Sequence, residues 1–450
     1  MDASEQLFVH TPTRRLFFRA AIPGALSMLA SAFYDLLDGI LVGQILGETA
    51  FAAVNLAMPF VILVFAVGDL FGVGSSVPIS ISLGEGDTDK ANNVFTCSVL
   101  MIMGMGVIFD IAFWLAAPAI MEGLGAQGKL ASDAVDFLRV YAISSPLTAM
   151  MFAVDNYLRI CGKIRGSLLL NILMATSGAI MEFSLLYFGH LGTFGAALGY
   201  CLALSLCSIV GMWPFLRGRM LLRFVRPHFS VEVIREICGA GMPAFLNNVA
   251  GRVTSVLLNS ALLRTGGEQA VAVYGLLQYV GAFAYPLIYG LCDALQPAVG
   301  YNWGARQINR VISLEKHIFV ASAVISLTLG AVMLVFPEAL VGIFMGEMDA
   351  SFVALARRAF RLYSTAWVLY WFPMATTGFL TALERSRDAS IMTLFTVLVA
   401  PVLALWALGP LGLDGLWLNV TAATAVAAAL SAWMMWVLRR DLRAARAELA

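Results

Sequence analysis

The sequence predicts an all-α integral membrane protein: twelve transmembrane helices in two six-helix lobes, related by a pseudo-twofold axis along the membrane normal. Three observations predict it. The 450 residues are 60% hydrophobic and only 12% charged, where soluble domains carry about 25% charge. The apolar residues come in long blocks rich in glycine, alanine and leucine, without the alternation of a membrane barrel. Landmarks of the first half also return in the second half at a nearly constant offset.

Apolar blocks between polar breaks place six spans at 16–46, 50–83, 92–117, 133–161, 166–188 and 193–216. Six more follow at 236–264, 269–300, 311–336, 352–383, 389–408 and 413–438. A span needs ~20 apolar residues, so twelve with short loops consume nearly the whole chain. Helix is required, because lipid offers the backbone no hydrogen-bond partner. The basic stretch from Arg217 to Arg235 separates the halves. The expected organisation is a tail 1–13, a lobe 14–220, a linker 221–235, a lobe 236–440 and a tail 441–450. Residues 1–13 hold two acids and no signal-peptide pattern, so span 1 is expected to be an uncleaved anchor.

Lysine and arginine in short loops set orientation. Of the 28 basic residues, 20 fall on one side, from Arg14, Arg15 and Arg19 through Lys163 and Arg165 to Arg439, Arg440, Arg443 and Arg446. That side is expected to be cytoplasmic, with both termini on it and the chain multi-pass in a bacterial inner membrane.

The repeat is read at specific residues. Shifted by 220, Ile22-Pro23-Gly24-Ala25-Leu26 falls on Met242-Pro243-Ala244-Phe245-Leu246. Gly47-Glu48 falls on Gly267-Glu268, and Leu191-Gly192 on Leu411-Gly412. At 222, Lys163 and Arg165 meet Arg385 and Arg387. Six spans per repeat is even, so both halves enter the membrane in the same direction. A cavity between parallel repeats suits alternating access.

Composition also narrows the function. Acidic and basic residues cancel at 28 each, giving no electrostatic footprint for nucleic acid. Six scattered cysteines without a C-x-x-C pair, and four distant histidines, suggest neither disulfides nor a metal centre. The run Gly123 to Leu130 approaches a phosphate-binding loop, but Leu130 replaces the needed hydroxyl and no strand precedes it. No nucleotide, no cofactor and no enzymatic activity are expected.

Acids within spans are the sharper signal, since each costs ~2.5–3.5 kcal/mol at the bilayer centre. Asp35, Asp38, Asp69, Asp110, Asp155, Glu182 and Asp293 all fall within spans. Arg159, four residues on, explains Asp155. Asp35 and Asp38, at i and i+3, project in one sector of span 1. Two carboxyls so close in a low dielectric resist double ionisation, so one can hold a proton and release it when the cavity changes sides. Glu182 on span 5 is the natural third member. Tyr34, Asn156, Asn248 and Gln278 are expected to line a substrate cavity.

The chain resembles the multidrug and toxic compound extrusion (MATE) family over nearly its whole length. The match lies in Tyr34-Asp35-Leu36-Leu37-Asp38-Gly39, in Leu83-Gly84-Glu85-Gly86-Asp87 and in Leu158-Arg159-Ile160-Cys161-Gly162. The most specific stretch runs from Gln296-Pro297 through Gly300-Tyr301-Asn302 to Gly304-Ala305. The resemblance implies export of organic cations or drugs against entry of protons or sodium, with the coupling-ion site in the N-terminal lobe. It places that site's two acids on Asp38 and Glu182. It also puts Gly178 where a sodium-site asparagine is common and Tyr200 where a threonine is common, departures that favour protons.

The expectation is therefore a monomeric, proton-coupled, less readily sodium-coupled, antiporter exporting amphipathic or cationic small molecules. The alternative is a flippase for lipid-linked precursors, which would need arginines along its path. Arg139, Arg252 and Arg361 are the candidates.

Overall fold

The computed structural model describes residues 3–344 and 350–448, and these are helical almost throughout, with no strand among them. Span 1 is Thr13–Leu41, continued to Leu46 by a wider turn. Glu48–Glu85, Thr88–Gly123, Gly128–Ile160, Ile164–Tyr187 and Gly192–Leu216 are spans 2 to 6. Val231–Gly304 carries spans 7 and 8, broken at Gly267. Ile308–Val335 is span 9. Span 10 is jointed, from Ala350–Ser364 through Thr365–Val368 to Trp371–Ala382. Ser386–Leu411 is span 11, and span 12 begins the helix Leu413–Glu448. That helix absorbs the expected tail from residue 441 as far as Glu448; residues 1–2 and 449–450 of the two tails lie outside the described residues.

Ten of these helices are each long and apolar enough to cross a membrane. The break at Gly267 and the jointed stretch 350–382 supply the remaining two of the twelve predicted spans.

The duplication is visible in the backbone. Left-handed φ angles recur in pairs: Gly47 (+84°) with Gly267 (+65°), Gly86 (+84°) with Arg306 (+54°), Gly162 (+74°) with Glu384 (+59°), and Gly192 (+60°) with Gly412 (+72°). Each pair ends the same turn in the two halves. Glycine holds six of the eight positions, as its freedom at positive φ favours.

The lobes meet along spans 1, 2, 7 and 8. A Cβ added to Gly84 would lie 2.2 Å from the Tyr301 carbonyl oxygen, and one added to Gly304 would lie 2.2 Å from that of Ile81. These two contacts exchange under the same 220-residue shift, so a pseudo-twofold axis passes between spans 2 and 8. Gly24 against Gly290 and Ala294, Gly74 against Ile237 and Gly241, and Gly241 against Leu70 bring spans 1 and 8 and spans 2 and 7 equally close. All of these glycines lie in the half nearer the basic loops. Toward the opposite side, added Cβ atoms at Gly39 on span 1 and Gly275 on span 8 meet nothing within 4 Å. The lobes are thus shut on the basic side and part toward the other. Phe33 and Phe283, edge to face at 5.9 Å between centroids, bridge spans 1 and 8 at the limit of the contact.

The shut rim carries polar ties as well. Lys90 donates to Glu236 at 3.0 Å, joining the first turn of span 3 to the start of span 7. Glu384, in the turn after span 10, is held above the usual glutamate range by burial and by Glu236, with Lys90 opposing and Glu85 adding. The N-terminal segment clasps the other lobe: Arg310 donates to the carbonyls of Phe8 (2.7 Å) and Thr11 (2.6 Å), with Phe8 buried.

Replacing Gly84 by valine is expected to wedge spans 2 and 8 apart at the axis. Spin labels on the basic rims of the two lobes should then report a longer distance. The same change at Gly275 should leave that distance unaltered.

Candidate functional site

Span 1 carries Tyr34, Asp35 and Asp38 past the point where the lobes part, and spans 4, 5 and 6 close around two of them. Glu182 of span 5 is fully buried. Its Oε2 accepts a hydrogen bond from the Tyr34 hydroxyl at 2.7 Å. Asp38 meets Glu182 in a carboxyl–carboxyl hydrogen bond. Two carboxylates have no hydrogen to share, so a bond between them requires a proton. Among the described residues no other donor reaches Glu182 Oε1, which is buried.

Glycines make the room. An added Cβ at Gly199 of span 6 would lie 2.5 Å from Glu182 Cα, so spans 5 and 6 touch backbone to backbone there. At Gly178 it would lie 2.9 Å from the Tyr34 ring. The Tyr34 ring therefore fills the space an asparagine at 178 would need. On its other face Tyr34 stacks on Tyr200 at 4.3 Å and 15°. The donor set is two carboxyl groups and one phenol in a tyrosine-walled pocket, without the amide oxygen and threonine hydroxyl that a sodium cage would add.

The structure thus unites Asp38, Glu182 and Tyr34. Asp35 stands apart, exposed, with Asp38 and Arg252 of span 7 as its charged neighbours. Asn156 is buried in span 4 and donates to the Phe152 carbonyl of its own helix at 3.1 Å. Asn248 spans the lobes, donating to Asp69 at 3.1 Å. Gln278 is exposed on span 8 and accepts from Tyr363 at 3.3 Å. Asp155 pairs with Arg159 as its spacing predicts, but the guanidinium also binds Asp293 of span 8. Sequence reasoning missed that partner, since it comes from the other lobe. Of the flippase arginines, Arg139 lies over the Trp114 ring at 5.1 Å.

Comparisons with known proteins agree with this architecture. The sequence profile of the MatE family matches residues 23–184 and again 243–406, two copies whose starts lie 220 residues apart. The multidrug export protein MepA of Staphylococcus saprophyticus is 28% identical over 434 residues, covering 95% of both chains. MepA of Staphylococcus haemolyticus is 27% identical, covering 99% of this chain and 98% of its own. A solved structure described as the outward-facing conformation of a multidrug resistance MATE family transporter superposes with a TM-score of 0.91 at 23% identity, covering 99% of both chains.

Gly199→Val should force spans 5 and 6 apart at Glu182, an overpacking cost of about 1–3 kcal/mol. The thermal midpoint in detergent is expected to fall. Valine at Gly104, where an added Cβ meets nothing within 4 Å, should leave it unchanged.

Proposed function

The chain belongs to the MatE family, and from that membership we propose a secondary active antiporter that exports amphipathic or cationic small molecules, multidrug efflux, in exchange for protons. The observation that carries the coupling is the Asp38–Glu182 contact, capped by Tyr34. A proton needs one carboxyl in a suitable setting, whereas sodium wants several oxygens around a cavity of its own size. Here Gly178 supplies no oxygen, and the Tyr34 ring packs against the position an amide would take.

In the proposed cycle the lobes part on the side away from the basic loops, and water from that side reaches span 1. Asp38 and Glu182 take up a proton, which lowers the negative charge that holds a cationic substrate, and the substrate leaves. Reversal of the lobes exposes the pair to the opposite compartment. The proton is lost there, and the site regains its charge for the next cation. One proton falling through about 180 mV releases about 4 kcal/mol, enough for a roughly thousandfold gradient of a neutral substrate. Asp35, exposed beside Asp38, adds attraction for cations at the mouth, which Arg252 offsets in part.

Asp38→Asn is expected to reduce efflux driven by an imposed pH gradient to background in proteoliposomes, with helicity and thermal midpoint retained. A panel of organic cations and one lipid-linked sugar should be assayed under pH and sodium gradients in turn. Efflux by Asp38→Asn at the parental rate, or uptake driven by sodium at clamped pH, would refute proton coupling through this pair. Transport of the lipid-linked sugar without cation efflux would favour the flippase.

A further inference from the structure

The shut half of the lobe interface holds a second group of acids that the proposed coupling pair does not use. Arg159 of span 4 is buried to 1% exposure and binds Asp155 of its own helix and Asp293 of span 8. Asp155 is fully served, since Ser167 and Asn171 of span 5 (the latter at 2.7 Å) donate to its other oxygen. Asp293 is not. It is 3% exposed, and its Oδ1 meets no hydrogen-bond donor among the described residues.

What faces Asp293 from the other lobe is another acid, Asp69 of span 2. Among the described residues the one side-chain donor to Asp69 is Asn248 of span 7, at 3.1 Å. The charged and titratable groups around the pair are Arg159 and Asp155 from span 4, Tyr285, Tyr289 and Cys292 from span 8, and Arg252 farther up span 7. Of these three carboxyls, Asp155 and Asp293 pair with the Arg159 guanidinium, and Asp69 has no cationic partner among the described residues. With Asp293 buried and Asp69 half-buried at this close-packed interface, the two carboxylates would repel with little solvent between them. A proton on one of them removes the repulsion.

We propose that Asp69 and Asp293 form a second proton-binding site, filled while the lobes are shut on the basic side and emptied when they part there. Asp69 belongs to the N-terminal lobe and Asp293 to the C-terminal lobe, so parting separates them and hydrates each. Arg159 keeps Asp155, which moves with it. Shutting the interface therefore takes up one proton from the basic-side compartment. By linkage, the ratio of shut to parted molecules should fall about tenfold per pH unit once the parted acids are ionised. Low pH favours the shut state.

The test reads conformation and needs no substrate. Spin labels on Asp89→Cys and Arg387→Cys, exposed on the basic rims of the two lobes, report the shut-to-parted ratio by electron–electron distance measurement in nanodiscs from pH 5 to 9. The background carries Asp38→Asn and Glu182→Gln, so a failure here leaves the proposed coupling pair untouched. The expected result is a pH-dependent ratio in that background, abolished by adding Asp69→Asn, which leaves the Arg159 pairs intact. Asp293→Asn should flatten it likewise. A ratio independent of pH in the background, or one whose pH dependence survives Asp69→Asn, would overturn the proposal.

Discussion

A carboxylate carried into the hydrocarbon of a bilayer costs about 2.5–3.5 kcal/mol on insertion scales, so each acid in a span must find a cation, a donor or a proton. This chain uses all three remedies. Asp155 has Arg159, Ser167 and Asn171. Asp69 has an amide from the opposite lobe. Glu182 has a phenol on one oxygen and another carboxyl beside it. Only the first arrangement is complete without a proton. The incomplete ones sit where span 1 enters the N-terminal lobe and where the two lobes touch, the places that change surroundings when the lobes move.

The lobes can move as units because of how the duplication packs. Gly84 against Tyr301 and Gly304 against Ile81 are one contact made twice, across an axis running between spans 2 and 8. Interfaces built on small residues bring backbones close and gain van der Waals contact over a short length. They also have no long side chains to disentangle on parting. The longer-range ties, Lys90 to Glu236 and Arg310 to the N-terminal carbonyls, lie at the basic rim. There water can replace them, so their rupture costs less than it would in the membrane interior.

Much of this was legible in the sequence, for physical reasons that can be named. Span count followed from block length, since lipid permits no other backbone solution. The duplication followed from glycines and charged landmarks, and two of those pairs, Gly47 with Gly267 and Gly192 with Gly412, prove to be turns at positive φ. Asp38 with Glu182 was reached through the family resemblance and the cost of buried charge. The Asp155–Arg159 pair followed from helical spacing alone. The Asp293 contact to Arg159 did not, since no local period links residues 134 apart on different lobes. Nor did the hydrogen bond that Tyr34, expected to line a substrate cavity, donates to Glu182. Its tell is Gly178, an absence of side chain whose meaning appears only when the Tyr34 ring is seen against it. Span 10 was read as one continuous helix, although Pro373, which removes an N–H and crowds the preceding turn, marks the joint that begins at Thr365–Val368.

The two acid sites differ in which water they can exchange with, and that difference fixes what each can do. Asp38 lies beyond Phe33, on the side where the lobes part, and in the proposed cycle it meets one compartment and then the other. A proton bound there crosses the membrane once per cycle and can drive export. Asp293 lies buried and Asp69 half-buried among the glycine contacts of the shut half, and the two are separated and hydrated when the basic side opens. A proton bound there returns to the compartment it came from, so it adds nothing to the number of ions exchanged per substrate. Its effect is on the balance of states: an alkaline basic-side compartment draws the proton off and favours opening toward it, and an acidic one holds the interface closed. Energy supply and conformational bias are thus separable in this fold, since one requires a site reached from both faces and the other a site reached from one.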